Sequence, residues 1–260
     1  HIRSLHPTSP IEIAGQVEGP LSDDLRILRE EALRPRFGHF AEALQGRGQT
    51  RLMLDFSLPL KGPGEPTLAG RLDFEGAELA LPAWNLNVTD LRGQLGFTLD
   101  GLNARAIKGQ ALGAPVTIDV ERRPGGVTRV HTQGRFDVSR VAGQWPSLPL
   151  QPADGAAGFT IDVDIPSAQA ASNVTGILAI NSDLEGVRLD LPAPLGKTAA
   201  QKRELALRMP LGDTDDPGEL EYAERLSARF DNTGKRIGVA FGKRATLPPE
   251  PGIRITGRIE

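Results

Sequence analysis

Cysteine is absent from the 260 residues. That excludes disulfide frameworks, thiolate zinc sites and cysteine nucleophiles. Aromatic residues are sparse, with two Trp and one Tyr, so there is little on which bases could stack. Basic residues do not outnumber acidic ones: 30 Lys and Arg stand against 33 Asp and Glu, for a net charge of −3. Nothing in that balance points to nucleic acid. No apolar run approaches the roughly 20 residues of a membrane-spanning helix, and the opening residues carry no export-signal pattern. The chain opens on His1, with strand-like sequence close behind. It reads as a segment of something longer, with any anchor or export signal outside it. The four histidines, His1, His6, His39 and His131, are scattered and match no metal-ligand spacing, so no metal and no cofactor is expected.

Glycine and proline, by contrast, are plentiful, at 30 and 21 residues spread along the chain. That fits many short strands joined by turns. Helical spacing occurs once, over residues 22–44. Asp23 and Asp24 charge the first turn, Leu25, Leu28 and Ala32 share a face, Pro35 breaks the run, and Phe37 and Phe40 follow. From residue 47 the period is two. Leu52, Leu54 and Phe56 alternate with polar partners, as do Leu72 and Phe74, Leu95 and Phe97, and Val116, Ile118 and Val120. Arg123-Pro-Gly-Gly126 marks a hairpin. Residues 143–156 are proline-rich, and beyond them Ile161 and Val163 alternate with Asp162 and Asp164.

The most informative stretch is Ser182-Asp-Leu-Glu-Gly-Val-Arg-Leu-Asp-Leu-Pro-Ala-Pro-Leu-Gly-Lys197. Val187, Leu189 and Leu191 fall on one side of a pleat, and Pro192 ends the pairing because it has no N–H to give. Residues 70–83 have the same order of parts: glycine, strand, second glycine, short strand, Leu-Pro-Ala. Recurrence of that kind is the mark of a repeat architecture. The chain divides accordingly into residues 1–20 (the end of a preceding repeat), 21–45 (helical), 46–142 (a first β unit), 143–156 (linker) and 157–260 (a second β unit).

Several chemical signals resolve into ordinary structure. Asp213, Asp215, Asp216 and Glu219 do not follow a calcium-loop pattern, since Pro217 and Gly218 are misplaced. Asp162 and Asp164 share a strand face, as the two carboxylates of a glycosidase flank one bond, but alternating surface acids are the plainer explanation. No nucleophile elbow or phosphate loop occurs. Lys197, Lys202 and Arg203 cluster after the Pro-Ala-Pro turn, where a headgroup contact is conceivable and a solvated loop is the simpler reading.

The succession of Leu58-Pro-Leu60, Leu91-Arg-Gly-Gln-Leu-Gly-Phe97, Gly101-Leu-Asn-Ala104, Gly113-Ala-Pro115, Ser182-Asp-Leu-Glu-Gly186 and Leu191-Pro-Ala-Pro-Leu-Gly-Lys197 resembles an internal region of the YhdP family of AsmA-like proteins. The resemblance covers nearly the whole chain, and its last two segments are the most specific. It implies a periplasmic segment of a Gram-negative envelope protein anchored in the inner membrane. The implied partner is phospholipid, carried through an apolar β groove between inner and outer membrane, with membrane contacts made by parts outside this chain. It supplies no catalytic residues, so an enzyme is not expected. The expected fold is mainly β: strongly curved antiparallel sheets forming an open groove or half-barrel in about two repeats, with one short helical segment near the N-terminus. Alternation alone favours a closed β-sandwich core, and the resemblance reverses that preference. The expected groove lining comprises Leu52, Leu54 and Phe56; Leu72 and Phe74; Leu95 and Phe97; Ile118; Ile161 and Val163; and Val187, Leu189 and Leu191. The unpaired edges of such a sheet invite edge-to-edge association. The alternative is a periplasmic structural or glycan-binding β domain, for which Trp84, Trp145 and Tyr222 are the available aromatic platforms.

Overall fold

Alternating apolar and polar residues, punctuated by glycine, build strand after strand of a single open sheet. The computed structural model describes residues 11–29, 42–59, 65–146, 150–167, 175–212, 214–242 and 244–257. Eighteen elements follow in chain order: β1 (Ile11–Pro20), α1 (Leu21–Leu28), β2 (Gln45–Arg47), β3 (Gln49–Leu58), β4 (Thr67–Leu81), β5 (Leu86–Thr98), β6 (Gly101–Ala111), β7 (Ala114–Arg123), β8 (Val127–Asp137), α2 (Val138–Gln144), β9 (Ala153–Pro166), β10 (Gly176–Ser182), β11 (Val187–Leu189), β12 (Leu205–Leu211), β13 (Gly218–Tyr222), β14 (Leu226–Phe230), β15 (Arg236–Phe241) and β16 (Gly252–Gly257). The strand order follows the chain from β1 to β16, with β2 pairing on β4 and β11 on β9. The sheet is open: β1 and β16 end the order and do not meet. The expectation of a mainly β, open-sheet fold is met.

Two details differ from that expectation. A second short helix, α2, stands between β8 and β9. Asp137 caps it by accepting the Ser139 N–H at 2.8 Å. At seven residues it is too short to show a 3.6-residue period in sequence. The last pair, β15 and β16, is parallel. Its connection crosses the polar face of the sheet, where Ala245 N–H donates to Ser227 Oγ at 2.8 Å and Arg244 pairs with Glu219 at 3.0 Å. Residues 30–41, including Pro35, Phe37 and Phe40, lie outside the described residues, as does Asp213. Residues 143–156 hold the end of α2 and the start of β9.

The chain forms two compact units, the first built on β1–β6 and the second on β9–β16, with the boundary running through β7 and β8. Each contains the same hairpin. In the first, Leu54 pairs with Gly70, Asp55 with Ala69 and Phe56 with Leu68. In the second, Ile161 pairs with Ile180, Asp162 with Ala179 and Val163 with Leu178. The strands that make these pairs correspond residue by residue. Gly48-Gln-Thr-Arg-Leu-Met-Leu-Asp-Phe-Ser-Leu-Pro59 matches Gly155-Ala-Ala-Gly-Phe-Thr-Ile-Asp-Val-Asp-Ile-Pro166. Leu72-Asp-Phe-Glu-Gly-Ala-Glu-Leu-Ala-Leu-Pro-Ala83 matches Ser182-Asp-Leu-Glu-Gly-Val-Arg-Leu-Asp-Leu-Pro-Ala193. At the far end Arg47 faces Glu78, and the equivalent Asp154 faces Arg188, with the charges exchanged. The upstream echo is thus one half of a repeated hairpin.

Candidate functional site

The sheet has two chemically distinct faces. Directly paired residues lie on one face, so the register defines each side. In the first unit Leu52 pairs with Leu72, and Leu72 with Leu95; Phe56 pairs with Leu68, and Leu95 with Ala104. That face is apolar across β3 to β6. At Gly76, φ +88, the register of β4 slips by one residue. This bulge moves the apolar positions from even to odd numbers, so Ala77 and Leu79 continue the face begun by Leu72 and Phe74. Gly186, φ +100, stands at the matching point of the second unit, ahead of Val187 and Leu189.

In the second unit the apolar face runs strand by strand. Val163 pairs with Leu178 and Ile180 with Leu207; Leu207 pairs with Leu220, Leu220 with Ala228, and Ala228 with Val239. It ends on β16, where Ile255 lies level with Val239. Most of this face is half-buried: Ile161, Val163, Leu178, Ile180 and Leu207 keep part of their surface, whereas in the first unit Leu52, Leu54, Phe56 and Leu95 do so and Leu68, Leu72, Phe74, Leu91, Phe97, Leu102 and Ala104 are buried. A closed sandwich needs a second sheet over such a face. Among the described residues there is one main sheet, and the crossover before β16 lies on the other side.

Both helices pack at one end of their hairpins. Leu21 and Leu25 of α1 are buried against Gly46, where a Cβ would strike Leu21. Thr50 is buried beneath α1, and its hydroxyl donates to Asp24. Burial raises the Asp24 pKa above the usual carboxylate value, and the Thr50 hydrogen bond opposes that. In the second unit Val138 of α2 packs with Ala157 and Val187, bordered by Leu150, Phe159 and Leu189.

The opposite face carries the charge. Arg51 pairs with Glu18 at 2.9 Å and Glu75 at 3.3 Å, and Arg71 with Asp73 at 3.3 Å. In the second unit His131 Nδ1 lies 2.7 Å from Asp162 Oδ1, and Arg229 pairs with Glu219 at 2.8 Å. Asp162 therefore belongs to the pattern of paired polar side chains on that side. Among the described residues no group of His, Asp and Glu could hold a metal ion. No helix among them is long and apolar enough to cross a membrane.

The model of the YhdP protein family matches residues 1–260. The chain belongs to the YhdP family. Neither the curated proteins nor the solved structures contain a match. The YhdP family is AsmA-like and envelope-associated, with lipid transfer as its family-level function.

Within this YhdP-family fold the residues expected to line a groove divide by burial. Leu72, Phe74 and Phe97 are buried on the apolar face, and Leu52, Leu54, Phe56, Leu95, Ile118, Ile161 and Val163 are half-buried. Val187 is 1% exposed in the cluster beneath α2, Leu189 borders that cluster, and Leu191 is exposed. Val187 therefore has no surface to offer a ligand in this structure. Sequence reasoning missed the larger part of the second face, including Leu178, Ile180, Leu207 and Val239. Gly176-Ile-Leu-Ala-Ile-Asn-Ser182 is apolar on both sides of the pleat, which hides its period. The match between Gly48–Pro59 and Gly155–Pro166 was the available signal.

Lys197 is buried, at 5% exposed. Its Nζ donates to Leu184 O at 2.8 Å and to Val187 O. Burial pushes its pKa below the usual lysine value. Lys202 takes the exposed role instead, pairing with Asp183 at 2.8 Å and Glu185 at 2.9 Å. Tyr222 is also buried, with its hydroxyl donating to Leu195 O at 2.8 Å.

Proposed function

We propose that this chain is a non-enzymatic, periplasmic segment of an envelope lipid-transfer protein. It carries phospholipid along the apolar faces of its sheet, between inner and outer membrane. One observation carries the reading: an apolar face in each unit, half-buried across most of the second and along Leu52, Leu54, Phe56 and Leu95 of the first, with no second sheet over it among the described residues. An exposed acyl chain costs about 0.8 kcal/mol for each CH₂ left in water. An apolar strip removes that cost while the headgroup stays wet. The bulge at Gly76 keeps the strip continuous where β4 changes parity. Membership of the YhdP family supports lipid as the cargo class. The glycan-binding alternative loses its best platform, because Tyr222 is buried and committed to Leu195.

Titration of the purified chain with a fluorescent phosphatidylethanolamine tests the reading. Saturable binding is expected. The double variant Leu54→Asp/Leu207→Asp, which puts a carboxylate on the apolar face of each unit, weakens it about tenfold or more. Lys108→Ala, on the polar face, leaves it unchanged. Absence of binding, or equal binding by all three proteins, would sink the proposal.

A further inference from the structure

In the first unit charge is sorted to one side of the sheet, with one exception. The basic residues Arg51, Arg71, Arg92, Arg105, Lys108 and Arg123 of β3–β7 fall on the polar side. Arg51 pairs in register with Asp73, Arg92 with Glu75 and Lys108 with Arg92. In β7, Thr117 accepts from Lys108 Nζ at 2.9 Å, and Asp119 accepts the Ala106 N–H at 2.7 Å. Both contacts place the odd-numbered positions of β7 on the polar side. Strand residues alternate, so Ile118, Val120 and Arg122 lie on the apolar side. Val120 is buried, whereas Arg122 keeps 55% of its side chain exposed.

The apolar side of this unit has two margins, and they differ. At one, α1 packs over the start of β3: its Asp24 accepts from the Thr50 hydroxyl, and Leu21 and Leu25 lie against Gly46. Strands β3 to β6 alternate in direction. The Ala106–Asp119 and Lys108–Thr117 contacts carry that alternation into β7. The end of β7 therefore lies at the other margin, where no helix stands among the described residues. Arg122 is the cation placed there. Its stem passes Gly101, where a Cβ would stand 3.7 Å from the Arg122 Cδ. A side chain of this kind keeps its methylenes on apolar surface and its head in water. Its ion pair with Asp100, at 3.7 Å and with the carboxylate 73% exposed, is loose enough for another anion to replace.

We propose that Arg122 holds the phosphate of a phospholipid headgroup while the acyl chains lie on the apolar side of the first unit. The proposal rests on the lipid reading and adds where the headgroup sits. A guanidinium presents paired N–H donors that match phosphate oxygens. The margin under α1 is already filled, and a headgroup has to stay wet. The second unit is built differently. Leu226-Ser-Ala-Arg-Phe-Asp-Asn232 matches Val116-Thr-Ile-Asp-Val-Glu-Arg122 in its alternation. Asn232 stands where Arg122 does, and its amide donates to Thr214 O. Preference for a charged headgroup therefore belongs to the first unit.

Two lipids with the same fluorescent acyl chain test it, phosphatidylglycerol and uncharged diacylglycerol, each titrated into the 260-residue chain. Arg122→Gln is expected to weaken phosphatidylglycerol binding about threefold and to leave diacylglycerol binding unchanged. Asp100→Asn, which frees the guanidinium, strengthens phosphatidylglycerol binding alone. Arg105→Gln, the same change of charge on the polar side, alters neither. Added salt shrinks the differences. All three positions are exposed, and circular dichroism checks the fold. If neither lipid binds any of the proteins, the lipid reading fails and takes this proposal with it. If the lipids bind but Arg122→Gln changes neither affinity, or changes both alike, the headgroup contact alone is overturned. An equal loss of phosphatidylglycerol binding in Arg105→Gln, or weaker binding in Asp100→Asn, has the same consequence.

Discussion

A lysine placed after a Pro-Ala-Pro turn reads as solvated charge, yet Lys197 lies inside. Its burial follows from the main chain around it. Gly186 turns with φ +100, and Leu189 exchanges two backbone hydrogen bonds with Lys197, at 3.0 and 3.1 Å. That ladder holds the side chain over the carbonyls of Leu184 and Val187. A buried ammonium is costly unless it is well bonded, and here main-chain oxygens supply the bonds. No side-chain pattern in sequence marks such acceptors, which is why the role of this residue was not legible. Hydrogen bonds to charged groups contribute about 1.5–3 kcal/mol each. Lys197→Met should therefore lower stability by about 2 kcal/mol or more in urea unfolding. Lys202→Met removes only exposed ion pairs and should shift the midpoint far less. Equal shifts for the two variants would contradict a structural role for Lys197.

At the scale of single elements, glycine performs two tasks that look alike in sequence. Gly76 supplies positive φ at the β4 bulge, and Gly186 at the turn between β10 and β11. Gly70, in the middle of β4, does something else. The Phe97 ring of β5 lies across it, and a Cβ built there would fall within the ring. Gly218 and Phe230 repeat the arrangement between β13 and β14. An aromatic ring laid over a strand glycine covers backbone that would otherwise be exposed, and it brings the two strands into close contact. Alternation located these strands and gave most of their faces. It could not tell a bulge glycine from a ring-covered one, because the distinction depends on the cross-strand partner. Gly70→Val should displace the ring and cost about 1–3 kcal/mol. Coupling to Phe97→Ala tests the cause. Once the ring is gone the valine has room, so the double variant should be more stable than the sum of the two single losses predicts. Additive losses in a thermal or urea cycle would show that the ring is not what excludes the side chain.

For the whole molecule, the repeated hairpin decides how function should be distributed. The open sheet and the existence of a repeat were legible, because the Gly-x-x-Leu-x-Leu-Pro-Ala order survives in both copies. The second apolar face was mostly hidden. Its strands are short, and β10 is apolar on both sides, so their membership appears only through the register with β9 and β12. Each unit has its own face, built on its own hairpin and packed at one end by its own helix. Stability and binding in repeat proteins are then largely sums of local contributions. A charge in one face should disturb that unit alone. Leu54→Asp, in the first unit, and Leu207→Asp, in the second, should each lower the number of bound phospholipids counted by native mass spectrometry while leaving binding to the other unit intact. The double variant should bind none. If either single variant abolishes all binding, the two faces act as one cooperative site, and the independence inferred from the repeat is wrong. If neither changes the count, lipid is held elsewhere, and the apolar faces serve only to stabilise the sheet.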